Sequence, residues 1–274
     1  MTHPTGGAVA VYAAFNEFIV GLDGDFVLHS VARPDAVRAR LQRAVASTEF
    51  CVQCARILLE QHTSAPHTTQ FFADPHGRYT LQIFCWPPGF GNDPHRHGTW
   101  TVTGVLAGSL LVFRSASSAA DCLASTPLRT RSGEVGMLIP PQFHCLRNEG
   151  DETAVTFHLF SLDAAEETPD LEGRSVAAPR FHDEDLLAIA RMVAERRGDE
   201  AADCISAAFA VVGPAAKLEL IKLMLKLDPG EAIVLGRRLS QLVGGMDGSR
   251  LLSLIERLET AAQGRNGFPC LLGT

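Results

Sequence analysis

Apolar positions along this chain change their period twice. From about residue 9 to residue 61 they recur at helical spacing. The run 35–45 opens behind Pro34, a residue suited to a helix's first turn, and Val52, Ala55, Ile57, Leu58 and Leu59 carry a second helix. From Arg78 to about Leu162 the pattern shortens to β-rich runs broken by Gly, Pro, Asn and Asp, at 79–86, 99–106, 109–113, 134–139, 145–148 and 154–162. Short strands at such close spacing predict a sandwich or barrel rather than βαβ units. Helical spacing returns after a polar, proline-containing stretch. Asp183, Glu184 and Asp185 place acids in the first turn of a helix through Leu186, Ile189, Ala190 and Val193. Gly213-Pro214 opens another through Leu218, Ile221 and Leu225, and 231–243 and 249–262 predict two more before a loose tail from Gly264.

This pattern divides the chain into N-terminal helices packing on a barrel (1–66), the barrel (67–166), a linker (167–179) and a C-terminal α-helical domain (180–274). The fold class is mainly β with flanking helices. The sequence has 274 residues, 46% of them hydrophobic, and a net charge of −7, with no Lys/Arg cluster, which argues against nucleic acid as a partner. No apolar run approaches the ~20 residues that span a bilayer, so no membrane partner is expected. The opening residues lack a basic segment followed by a long apolar one, and seven cysteines lie scattered in apolar stretches. Both features lead us to expect a reducing, cytoplasmic setting.

The chemistry concentrates at Pro88-Gly89-Phe90-Gly91-Asn92-Asp93-Pro94-His95-Arg96-His97. On a strand, alternate residues share a face, so His95 and His97 aim at one point and Arg96 points away. His144, from a returning strand, completes a set of three imidazoles for one metal ion. Such a neutral set leaves a divalent ion's charge uncompensated and favours anionic ligands, a thiolate above all. Iron and zinc both accept it. Cys51-Val52-Gln53-Cys54 lies inside a helical pattern without a second cysteine pair and reads as core. Trp86, Trp100, Phe143 and Phe160 read first as core as well.

Two resemblances follow. The spacing of Gly89, His95, His97 and Gly108, then Gly133, Pro140-Pro141, His144 and Asn148, resembles the two motifs of a cupin, the double-stranded β-helix or jelly-roll barrel. Thr101 stands where many cupins place a glutamate ligand. Over roughly residues 70 to 162, Phe84-Cys85-Trp86-Pro87-Pro88-Gly89, the histidine pair, Gly104-Val105-Leu106-Ala107-Gly108, His144 with Asn148, and Thr156-Phe157-His158-Leu159-Phe160-Ser161 resemble the cysteine dioxygenase-type thiol dioxygenases.

That resemblance implies Fe(II) held by His95, His97 and His144, with a thiol and O2 as the substrates and a sulfinate as the product. It places His158 and Thr156 as hydrogen-bonding catalytic residues and Gln70, Thr101 and Phe160 at the substrate. Phe160 replaces the family's tyrosine, and the family's carboxylate-binding position falls near Thr69-Gln70, where no arginine stands. The expected function is therefore dioxygenation of a small thiol or thiol-like metabolite. The alternatives are metal-dependent oxygenation, hydrolysis or isomerisation of a non-thiol substrate, or a sensing cupin with a partner-binding helical domain. The C-terminal helices are expected to cover the barrel or to form a homodimer.

Overall fold

Eight strands and nine helices make up the described residues of this computed structural model, which are 12–27, 33–64, 70–162, 182–196 and 200–266. Strands β1 (Gln70–Ala73), β2 (Tyr79–Trp86), β8 (Ala154–Ser161), β3 (Thr101–Ala107) and β6 (Val135–Leu138) form one antiparallel sheet in that spatial order. Strands β5 (Leu128–Arg131), β4 (Ser109–Ser115) and β7 (Phe143–Arg147) form a second, also antiparallel. The two sheets face each other as the walls of a barrel, and a cavity lies between them.

The alternation along β8 explains why the larger sheet has two different faces. Val155, Phe157 and Leu159 are fully buried on its outer side and join Leu81, Ile83, Val102 and Leu106 in the main hydrophobic core. Helices α1 (Ala13–Val27), α2 (Pro34–Ala46) and α3 (Thr48–Ser64) cover this side. Phe157 meets Phe18 edge-on at 5.9 Å and Phe50 at 5.6 Å between ring centroids, geometries in which aromatic pairs add to simple burial. Gly104 of β3 lets α2 approach closely, because a Cβ there would lie 2.8 Å from Val45 Cγ1. Thr156, His158 and Phe160 alternate to the inner side.

Helices α5 (Asp183–Arg196), α6 (Ala201–Val211), α7 (Pro214–Leu227) and α8 (Pro229–Val243) belong to that same core, through residues such as Ile189, Val193, Ile205, Leu220 and Leu235. Arg196 at the end of α5 donates to Leu106 O at 2.9 Å and to Val45 O at 3.3 Å, tying this bundle to β3 and α2. Helix α9 (Gly245–Asn266) packs along α8. On the other flank Arg78 binds Asp74 at 2.7 Å and also reaches Asp23 of α1. Burial opposes the Asp74 charge, but the Arg78 guanidinium outweighs it and holds the carboxyl below its usual range.

The expected strand 79–86 matches β2, and the helices expected from 34 to 61 and beyond 183 are present. Four elements were not anticipated: β1, β5, α6 and the short helix α4 (Ala119–Ala124), which Ser118 caps by accepting from Asp121 N at 3.1 Å. The stretch around His95 and His97 is not a regular strand; it forms isolated bridges, Gly91 with Arg147 and His95 with His144. Pro94 has no N–H to give a ladder, which accounts for the interruption. The expected linker at 167–179 lies outside the described residues.

Candidate metal centre

Residues 89–95 are fastened along β7 by main-chain bonds. Gly89 N–H donates to Asn148 O at 2.9 Å, Asn148 N–H to Phe90 O at 2.8 Å, and Asn92 N–H to Leu146 O at 3.1 Å. His95 and His144 exchange reciprocal bonds of 2.9 and 2.8 Å. Gly91 permits this approach, since a Cβ on it would sit 2.9 Å from Leu146 O. Asn148 is buried and holds the turn by donating to Trp86 O at 2.6 Å and Glu152 O at 2.8 Å.

The outcome is convergence of His95, His97 and His144, whose candidate ligand atoms all lie within 4.8 Å of one another. Arg96 turns the other way, with its guanidinium over the Phe143 ring at 5.6 Å. His95 Nδ1 lies 2.9 Å from Asp93 O; because a carbonyl only accepts, Nδ1 carries the proton and Nε2 is left bare for a ligand bond. His144 is buried, and its Nδ1 has no hydrogen-bond partner among the described residues. Burial first, then His95, lowers the His97 pKa to about 4; burial, then His95, His97 and His158, lowers that of His144 to about 2. Neutral, crowded imidazoles with an unpartnered buried nitrogen suit a divalent cation. No carboxylate joins this group among the described residues.

Beside the triad, Thr156, His158 and Phe160 share the inner face of β8. His158 is held on both sides, by Thr156 Oγ1 at 2.8 Å from Nε2 and by Thr103 Oγ1 at 3.0 Å from Nδ1. The Trp86 indole, which only donates, gives its N–H to Thr156 Oγ1 at 2.8 Å. The Thr156 hydroxyl then donates to His158 Nε2 rather than to the more distant Phe84 O at 3.5 Å. His158 Nδ1 therefore carries the ring proton and donates to Thr103. Burial first, then His97 and His95, depresses the His158 pKa to about 3. Phe160 stacks on His158 at 5.6 Å and meets His97 at 5.5 Å between centroids.

Thr101 is buried opposite Phe160 and Leu138. Gln70 starts the exposed edge strand β1, two strands from His158, and does not line the cavity beside His144. Cys51 and Cys54 are buried in α3, and burial pushes the Cys51 thiol up to about 11, as their core reading predicts. Arg114, which sequence reasoning passed over, does line that cavity.

Comparison with known proteins matches no family model and no curated protein. Solved structures with similar folds include a cupin superfamily protein from Desulfitobacterium hafniense, at 13% identity and TM-score 0.27, covering 31% of this chain and 69% of that one. The Cnp3 cupin domain of Schizosaccharomyces pombe has 15% identity and TM-score 0.29, covering 34% and 59%. The DMSP lyase DddQ of Ruegeria pomeroyi has 18% identity and TM-score 0.28, covering 34% and 43%. The fold is a mainly β barrel of two facing antiparallel sheets with flanking helices. These likenesses reach no single residue of the site, whose chemistry rests on the histidine geometry of this barrel.

Proposed function

We propose that this cupin binds Fe(II) through His95, His97 and His144 and oxidises a small thiol to its sulfinate. The observation that carries the reading is the all-imidazole set, with His144 Nδ1 buried and unpartnered and no carboxylate in the group. Iron(II) bound there supplies a soft-enough Lewis acid for a thiolate and a redox centre for dioxygen. The overall change balances without a further reductant: RSH + O2 gives RSO2H.

The chain's own residues do the rest. Three neutral donors bring no negative charge, so a thiolate is not repelled from the site. Val105, Leu110, Val112 and Leu146 give the cavity beside His144 an apolar inner wall, which suits the hydrocarbon part of a thiol. His158, fixed by two hydroxyls and stacked on Phe160, presents an oriented ring dipole beside the triad, and Trp86 locks that orientation through Thr156. Phe160 leaves this region without the phenol of the resembled family, so no hydroxyl reaches the ligand from that position.

The deciding experiment is oxygen uptake by Fe(II)-reconstituted protein across a panel of small thiols, with zinc-loaded protein as control. Uptake equal to sulfinate formed, and absent with zinc, is expected. Stoichiometric iron with no uptake for any thiol overturns the oxygenase reading.

A further inference from the structure

Strand β4 turns Leu110, Val112 and Arg114 towards the barrel interior. Its register with β7 pairs Arg114 with His144 and Val112 with Leu146, and directly opposed residues of an antiparallel pair share a face. Arg114 and His144 together line the cavity of about 70 Å³ between the sheets. Arg114 is exposed where that cavity opens to solvent. Among the described lining residues none is acidic, and the Arg114 guanidinium has no hydrogen-bond or ion-pair partner among the described residues. On the facing wall Gly136 stands opposite Thr103, and a side chain there would meet open space.

We infer that Arg114 anchors an oxyanion at one end of a short ligand whose other end reaches the three-histidine site, which rests on the metal reading above. The resembled family would place this anchor near Thr69-Gln70; here it stands on the other sheet, beside the ligand His144. A guanidinium presents a fork of N–H donors that matches a carboxylate or sulfonate with two parallel charge-assisted bonds. Without a countercharge in the cavity, Arg114 exchanges only water when such a group arrives. Val112 and Leu146, the next pair along the same strands, make the adjoining wall apolar, which favours a hydrocarbon spacer. A cavity this size has room for roughly five water-sized groups, so the spacer is short, about two to four carbons. Gly136 keeps that space open: a larger residue would project into it.

The test is calorimetric titration of the zinc-loaded full chain, which is redox-silent, with three thiols of equal length ending in carboxylate, sulfonate or alcohol. We expect the two anions to bind at least about ten-fold more tightly than the alcohol. R114Q should abolish this preference while leaving metal stoichiometry and alcohol affinity unchanged, and R114K should keep part of it. G136V should weaken all three thiols with metal retained. An anion preference absent from the wild type, or intact in R114Q, overturns the anchor. If the wild type holds no metal, the same titration with a sulfur-free carboxylate separates the two readings. Binding lost in R114Q then keeps the anchor and removes the metal centre, whereas binding unaffected by R114Q removes both.

Discussion

His144 carries more of the site than its partners, because it alone of the three is buried and leaves a buried ring nitrogen unpartnered among the described residues. Replacing it with alanine should cost more than about 100-fold in metal affinity, beyond what loss of a supporting residue costs; competition with a chromogenic chelator reads this directly. Near-wild-type affinity would sink the assignment. Acid stability follows from the same group of side chains. His97, His144 and His158 have folded-state pKa values lowered to about 4, 2 and 3, against an ordinary value of ~6.5 when unfolded. A depressed value means the unfolded chain binds the protons first, so stability is fully present above pH ~6.5 and is lost progressively as pH falls from there through the folded values of the three rings. For the metal-free protein the three together give a slope of up to about 4 kcal/mol per pH unit. Urea unfolding at pH 7, 6 and 5 checks this, and in H158N the slope should fall by about one proton. A flat profile in the wild type contradicts the burial of neutral rings. Thr156 offers a further check at this scale. T156V would strand the Trp86 indole N–H and His158 Nε2 and should cost about 1–3 kcal/mol, with T156S restoring most of it.

Among the elements, the contact of α2 with β3 depends on a missing side chain. G104A places a methyl 2.8 Å from Val45 Cγ1 and should destabilise by about 1–3 kcal/mol through overpacking. Adding V45A should relieve part of the loss, giving a non-additive cycle in denaturant midpoints; strict additivity would show that the helix accommodates the methyl elsewhere. The elements that were legible in the sequence are those with a strong burial signature. Strand β2 lies between Gly77 and Pro87, which punctuate it, and β8 is apolar on one face with Thr156 and His158 on the other. Strand β5, Leu-Arg-Thr-Arg, escaped notice because it is a mostly exposed edge whose residues carry no apolar alternation. Helix α4 is too short to show a period. The three histidines were legible because two are close in sequence and the third sits in a returning strand. Arg114 was not, because its place depends on the pairing of β4 with β7, a register that no local pattern reveals. The irregular course at His95 was hidden for a related reason: Pro94 interrupts the ladder, yet the bridge to His144 still turns the ring inward.

At the level of the whole molecule, one apolar core runs from α1–α3 through the outer face of the larger sheet into α5–α8. Leu186, Ile189, Val193, Ile205 and Leu220 are all buried in it, each worth roughly 1.5–3 kcal/mol of transfer free energy. A chain ended at residue 162 should therefore fail to unfold cooperatively and should bind hydrophobic dyes, even though every strand and every candidate metal ligand remains. A cooperative, soluble barrel from that truncation would show the helices to be separable. Among the described residues no helix is long and apolar enough to cross a membrane, and the helices bury only part of their apolar content in this core, since Leu218, Val234, Leu242, Leu252 and Leu254 stay exposed.

The division of labour between the two sheets has its own consequence. His144 and Arg114 stand on the smaller sheet, to which residues 91–95 are bridged, whereas Thr156, His158, Phe160 and Thr103 stand on the larger one. The inner face of the larger sheet carries none of the three candidate ligands, although Phe160 there meets His97, so its other residues can be varied without replacing one. Variation there would diversify what the barrel accepts while the three histidines stay in place, making that wall the natural target for retuning selectivity by directed mutation.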